Sequence, residues 1–261
     1  MRPVPEIPLR AAVLVSLGAL ALAGCAGSQQ RRGPPTAVIN RVLATAPGEA
    51  QPSAIVAREV AYARDAREQG QVAAAEAYAA PGALQHTRRG PVPFAQIAPA
   101  LATSGIETQW KTRAVVMSCD GALAVAQGRF ADRAGKVGTY VTVWQRQDNG
   151  QYRWTYDVAG YDDPQPPARR QFEDGDIVVT AIDSIRGLVA TCPPRGVDVP
   201  APPAIPIGAE GAEAAQLSRD GTMRWRWEHR ADGTKFVKAE YFYEGDWETG
   251  IEESLASTGE K

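Results

Sequence analysis

Beyond Trp110 the apolar residues of this chain recur with a period of two, and three glycine turns cut that stretch into segments of similar length. Residues 112–119, 122–131, 137–147 and 151–158 alternate or run β-branched and aromatic. Between them stand Asp120-Gly121, Arg133-Ala134-Gly135 and Asp148-Asn149-Gly150. A glycine in each turn takes the positive φ of a tight reversal, so consecutive antiparallel strands follow. Ahead of them the period is helical. Ile55, Val56, Val60, Ala63 and Ala66 or Arg67 recur at that spacing, with Arg58, Glu59, Arg64, Asp65 and Glu68 between them as the solvated face. Pro52-Ser53 starts this helix and Gly70 stops it. A second helix fits Gln71 to Tyr78, closed by Pro81-Gly82, and a third fits Phe94 to Leu101. Helices followed by a meander predict an α+β domain, its N-terminal helices packed on one face of a curved antiparallel sheet.

The N-terminus is built differently. Arg2 and Arg10 precede an apolar run from Ala11 to Ala23, and polar residues follow at once, the pattern of a secretory signal. A membrane span needs about 20 apolar residues, more than this run supplies. Leu22-Ala23-Gly24-Cys25 resembles the bacterial lipobox. That resemblance implies cleavage before Cys25 and acylation of its thiol, and Ala26 rather than an Asp after the Cys implies transport to the outer membrane. Multiple acyl chains, each worth about 0.8 kcal/mol per buried methylene, would hold the mature terminus firmly. In an ordinary signal peptide Cys25 would be an incidental thiol.

Three cysteines are an odd number for an exported protein. With Cys25 acylated, Cys119 and Cys192 are expected to pair in an oxidising compartment, the alternative being two separate buried thiols. The chain is 44% apolar and 22% charged with a net charge of −2. Such a balance lacks the basic field that neutralises phosphates, which excludes a nucleic-acid binder. The expected organisation is a signal peptide over 1–24, a tether over 25–52, one domain over 53–163, and proline-rich connectors with a β-hairpin extension over 164–261.

Within 53–163 several stretches carry a likeness. Ala73-Ala74-Ala75-Glu76-Ala77-Tyr78, Trp110, Ser118 through Val125, Gly138 through Arg146 and Gly150 through Trp154 resemble the NTF2-like superfamily. The nearest branch is that of SnoaL-like and ketosteroid-isomerase-like domains. The resemblance implies a cone whose helices and concave sheet enclose a pocket, in a fold that often forms homodimers. Isomerases, lyases, binding modules and assembly domains all use this fold, so function has to come from the site.

Active members place an acid or base beside a hydrogen-bond donor. Here the candidates are Asp157, expected at the end of the last meander strand, His86, expected in the loop after the second helix, and Tyr62 and Tyr78 on the helices. No second residue at a diagnostic spacing supports any of them, so no catalytic residue is assigned. The two histidines, His86 and His229, allow no zinc spacing and no Gly-x-Ser-x-Gly hydrolase, and glycine-rich phosphate loops are absent; neither metal nor cofactor is expected. The aromatic residues suggest more. Tyr152, Trp154 and Tyr156 are placed on one face of their strand and Tyr140 and Trp144 on one face of theirs. Such rings fill core or line a pocket for a flat apolar ligand, with Tyr62, Trp110, Tyr140, Trp144 and Trp154 as lining candidates.

Toward the C-terminus, Ile177-Val178-Val179 and Leu188-Val189-Ala190 read as short strands between proline-rich connectors. Ser218-Arg219-Asp220-Gly221 opens a hairpin with Met223, Trp225 and Trp227 on one face and Arg224, Arg226 and Glu228 on the other. It turns at Ala231-Asp232-Gly233 and returns through Phe236, Lys238, Glu240 and Phe242. A lone hairpin is marginal, so it is expected to pack on the main domain or join its sheet edge, while the acidic tail after Glu244 is expected to be solvated. The combined expectation is a lipid-anchored envelope protein facing the periplasm, noncatalytic, binding a small apolar ligand or an envelope protein. Its alternative is an isomerase or lyase with Asp157 as base and a tyrosine as donor.

Overall fold

Ile55, Glu59, Ala63 and Ala66 form the buried stripe of the first helix, α1 (Pro52–Gln69), which opens on a proline and stops at Gly70, where φ is +95°. The computed structural model describes residues 49–105, 107–167, 184–194, 196–205 and 214–257. The expected signal peptide with Cys25 after it, the expected tether as far as residue 48, the run Ile177-Val178-Val179 and the last four residues lie outside these. The described residues all belong to one compact unit, Pro47–Lys261. None of their helices is long and apolar enough to cross a membrane.

After α1 come α2 (Gln71–Tyr78), β1 (Ala79–Thr87), β2 (Gly90–Pro93) and α3 (Phe94–Thr103). The meander follows as β3 (Thr108–Met117), β4 (Leu123–Asp132), β5 (Val137–Arg146) and β6 (Tyr152–Tyr161), then β7 (Arg186–Val189). These seven strands make one sheet in the order β2-β1-β6-β5-β4-β3-β7. It is mixed rather than antiparallel, because β1 runs parallel to β6 and β7 parallel to β3. The remaining strands, β8 (Gln216–Leu217), β9 (Met223–His229), β10 (Lys235–Tyr243) and β11 (Asp246–Leu255), form a second sheet in the order β11-β10-β9-β8. The expected hairpin is thus the centre of a four-stranded sheet, and the tail after Glu244 is a strand.

Both faces of the first sheet are covered. Val115, Met117, Ala124, Ala126, Trp144 and Trp154 face the helices, where they meet Ile55, Ala75, Tyr78, Phe94 and Ala98. Val116, Val125, Val141, Val143, Tyr156 and Val158 face the second sheet and meet Met223, Trp225, Val237, Ala239, Tyr241 and Ile251. The extension therefore packs face to face on the domain, and what holds it is apolar burial. Gly250 permits the close approach: a Cβ there would lie 2.5 Å from Val116 Cγ2. The proline-rich stretch around 196–205 lies against the second sheet, where Pro203 and Pro200 carbonyls accept from Arg224 at 2.7 Å and Trp247 at 2.9 Å.

Several local expectations change for physical reasons. Ala79 follows α2 directly, so Pro81-Gly82 lies inside β1, where the register with β6 jumps between Ala79 and Leu84, and His86 is a strand residue. Val60 is 64% exposed while Glu59 is buried, which turns the apolar stripe of α1 by one position. β6 runs on to Tyr161, which puts Asp157 in mid-strand. A bulge at Thr155 pairs Trp144 with Trp154 but Val143 with Tyr156, so Tyr156 faces the second sheet while Trp154 faces the helices.

Cys119 and Cys192 are bridged across 73 residues, tying the end of β3 to the segment after β7. Replacing both by serine is expected to lower unfolding stability by about 3 to 5 kcal/mol in a urea titration. Intact mass of the purified protein should rise by two hydrogens on reduction.

Candidate functional site

Three of the chain's ring donors aim at one carboxylate. Glu59, 2% exposed on α1, accepts from Trp144 Nε1 at 2.8 Å on one oxygen. Its other oxygen accepts from Trp110 Nε1 at 3.1 Å and from the Tyr140 hydroxyl at 3.3 Å. Tyr140 also shares a hydrogen bond of 3.2 Å with Thr112 Oγ1. The sheet builds this by register: Gly128 stands between Tyr140 and Thr112, and a Cβ on it would meet the Tyr140 ring at 2.5 Å. Only a glycine leaves room for that ring.

Asp157 lies on the same face, half-buried, in a polar row across three strands. Thr142 Oγ1 donates to one of its oxygens at 2.6 Å and Gln85 Nε2 to the other at 3.0 Å. Tyr62 reaches toward both acids from α1. Its ring stacks on Tyr78 with centroids 4.9 Å apart and meets Trp110 edge-on at 4.8 Å and Trp144 at 6.3 Å.

The electrostatics follow from burial. Loss of water pushes the Glu59 carboxyl up to about 7, with the Asp157 charge adding to the rise and the Trp144, Trp110 and Tyr140 donors opposing it. Burial also raises Asp157, against the pull of Thr142, Gln85 and Lys235. The Tyr62 hydroxyl is driven well above its ordinary value by burial, then by Asp157 and Glu59. Glu59 therefore resists ionising beside a charged Asp157. Chemically the arrangement can hold a proton near neutrality on Glu59, inside a shell of aromatic rings.

Of the residues proposed from sequence, Asp157, Tyr62, Trp110, Tyr140 and Trp144 converge here. Trp154 shares the face, but its indole donates to the Ala75 carbonyl at 3.1 Å and its ring packs on Phe94, so it fastens α2 and α3. Tyr78 is spent on Asp65, with the Arg58 guanidinium 4.0 Å over its ring. His86 lies on the opposite face of the sheet, bonded to Tyr156 and His229. Sequence reasoning missed Glu59, Thr142 and Gln85. The spacing Ile55-Glu59-Ala63 was the available signal for Glu59, an acid at an in-stripe position. Among the described residues no group of three or more His, Cys, Asp or Glu side chains is placed to hold a metal ion.

Glu59→Gln tests the node. A carboxyl raised in the fold contributes stability that is whole below its unfolded value near 4.3 and fades as pH climbs through about 7. Gln keeps the shape but turns an N–H toward another donor, so it should cost about 1 to 3 kcal/mol at pH 5. That deficit should shrink between pH 5 and 8, as read from urea midpoints.

No family model and no curated protein matches the chain. Solved structures give distant likenesses. An NTF2-like superfamily protein from Salmonella enterica serovar Typhimurium is 16% identical over 48% of this chain and 99% of its own, with a TM-score of 0.32. An NTF2-like protein of unknown function from Burkholderia pseudomallei is 16% identical over 41% and 90%, at 0.30. A cystatin-like-fold protein of unknown function from Methylobium petroleophilum is 19% identical over 52% and 98%, at 0.32.

Proposed function

We propose that this chain is a lipid-anchored envelope protein whose NTF2-like helix-and-sheet body is a noncatalytic binding module for a small, flat, largely apolar ligand. One observation carries the reading: Tyr62, Trp110, Tyr140 and Trp144 converge with Asp157 on the helix side of the sheet around Glu59. Rings supply apolar surface and Asp157, half-buried, supplies an acceptor. Occupied acids favour binding over catalysis. Every oxygen of Asp157 and Glu59 already accepts from a fixed side chain, the arrangement of anchors that position a site. The NTF2-like assignment is supported by strand order, helices first and a meander of four strands after them, and by the residues that resemble the family.

Export is supported by the N-terminal sequence and by the Cys119–Cys192 bridge, which suits an oxidising compartment. Anchoring through Cys25 would place the body at the outer membrane, facing the periplasm. A homodimer would have to form away from the outer face of the seven-stranded sheet, since the second sheet occupies it.

A second reading has its own observation. The raised proton affinities of Asp157 and Glu59 suit proton transfer, as in an isomerase or lyase with Asp157 as base and Tyr62 as donor.

Titrating the full-length protein with flat apolar dyes should quench tryptophan fluorescence saturably, and Trp110→Phe should weaken that binding at least fivefold. No saturable change would overturn the binding module; turnover of a ligand that stops in Asp157→Asn would favour the enzyme. Cys25→Ser should move the protein from the membrane to the soluble fraction of its host.

A further inference from the structure

The chain's two histidines, 143 residues apart, meet nitrogen to nitrogen between the two sheets. His86 on β1 is 2% exposed; its Nδ1 lies 2.5 Å from the Tyr156 hydroxyl and its Nε2 lies 3.0 Å from Nδ1 of His229, half-buried at the end of β9. Burial gives this chain of hydrogen bonds a direction. Tyr156 is 1% exposed, and among the described residues its hydroxyl has His86 Nδ1 as its partner. A buried O–H that donates to nothing is costly, so Tyr156 donates and Nδ1 accepts. His86 then carries its proton on Nε2, and that N–H donates to His229 Nδ1.

We propose that these residues form an acid-sensitive latch between the two sheets: a one-way chain, Tyr156 to His86 to His229, that joins β1 to β9 while both rings are neutral and breaks when either gains a proton. A proton on His229 Nδ1 sets two N–H groups against each other across 3.0 Å. A proton on His86 Nδ1 meets the Tyr156 O–H across 2.5 Å. Reversing the whole chain would leave the Tyr156 proton without its acceptor in the core.

The neighbours of His86 add to this. β6 contributes Tyr156, β9 contributes His229 and Trp227, and β10 contributes Lys235, whose ammonium donates to the Ala159 carbonyl at 2.6 Å. β2, paired with β1, brings no ionisable side chain, and Asp157 lies on the far face of β6. Burial, then His229 and Lys235, push the His86 imidazole down to about 3. The sign follows: the fold resists a proton that the unfolded chain accepts near 6.5, so the latch is whole above that pH and weakens below it. Outside the cytoplasm, the location proposed above, the pH of the medium reaches it directly; the latch itself does not depend on that location.

Long-range proton–nitrogen correlation spectra of the full-length folded protein test it. At pH 8 they should place the His86 proton on Nε2 and none on the His229 Nδ1 facing it. Urea unfolding between pH 7 and 5 supplies the second measurement. His86→Gln can accept from Tyr156 and donate to His229 but cannot titrate, so on acidification below pH 6.5 its unfolding constant should rise more slowly than that of the natural chain, by up to about tenfold per pH unit. A His86 proton on Nδ1, or equal pH slopes in the two proteins, would overturn the latch. Should the variant not fold, the spectra of the natural chain decide.

Discussion

A carboxylate surrounded by rings organises the helix side of this protein. Glu59 draws on β3 through Trp110 and on β5 through Tyr140 and Trp144, so one α1 side chain fixes the helix against two strands that are not neighbours. Buried acids are expensive unless their lone pairs are filled, and here three donors fill them. The cost of leaving any donor unpaired ties the aromatic residues to one arrangement. Tyr62 is then held among Tyr78, Trp110 and Trp144.

The sheet faces two cores at once, and this governs how its strands read. Val115 and Met117 serve the helix side while Val116 serves the second sheet, and β5 divides Trp144 from Val141 and Val143 in the same way. A strand buried on both faces shows a run of apolar residues instead of strict alternation. Polar residues in such a sheet are then conspicuous. The row Gln85, Asp157 and Thr142 is satisfied within itself, and His86, one residue along from Gln85, enters the other core.

What the sequence makes legible are features decided locally. The glycine turns of the meander, the helix from Gln71 to Tyr78 and the hairpin of β9 and β10 follow from turn chemistry and periodicity. Strand alternation also places Tyr140 and Trp144 on one face, where Asp157, Tyr62 and Trp110 lie beside them around Glu59. Features set by distant pairing are not legible. β1 is a strand because β6 accepts it in parallel, although Pro81-Gly82 argues for a loop. The side on which Tyr156 falls depends on a single extra residue, Thr155, with no mark in the alternation. Glu59 reads as surface because acids on helices nearly always are, and only the donors across the sheet make its burial tolerable. β11 reads as a solvated tail for a related reason: its acids sit at the sheet edge, and Lys238 pairs with Glu252 there.

The two turns that open β4 and β9 share one construction. The Ser118 and Ser218 hydroxyls each donate to the aspartate two residues on and accept from the N–H of Leu123 and Met223, whose carbonyls accept from the serine N–H in return, and the backbone N–H groups of Cys119 and Asp120 donate to Thr222 and Asp220 across the gap. The second sheet is thus pinned to the first at its own first corner. The valine wall of Val116, Val125, Val141, Val143 and Val158 is covered only when that docking is complete. A substitution that loosened the corner would bare an apolar face of the kind that draws molecules together into aggregates.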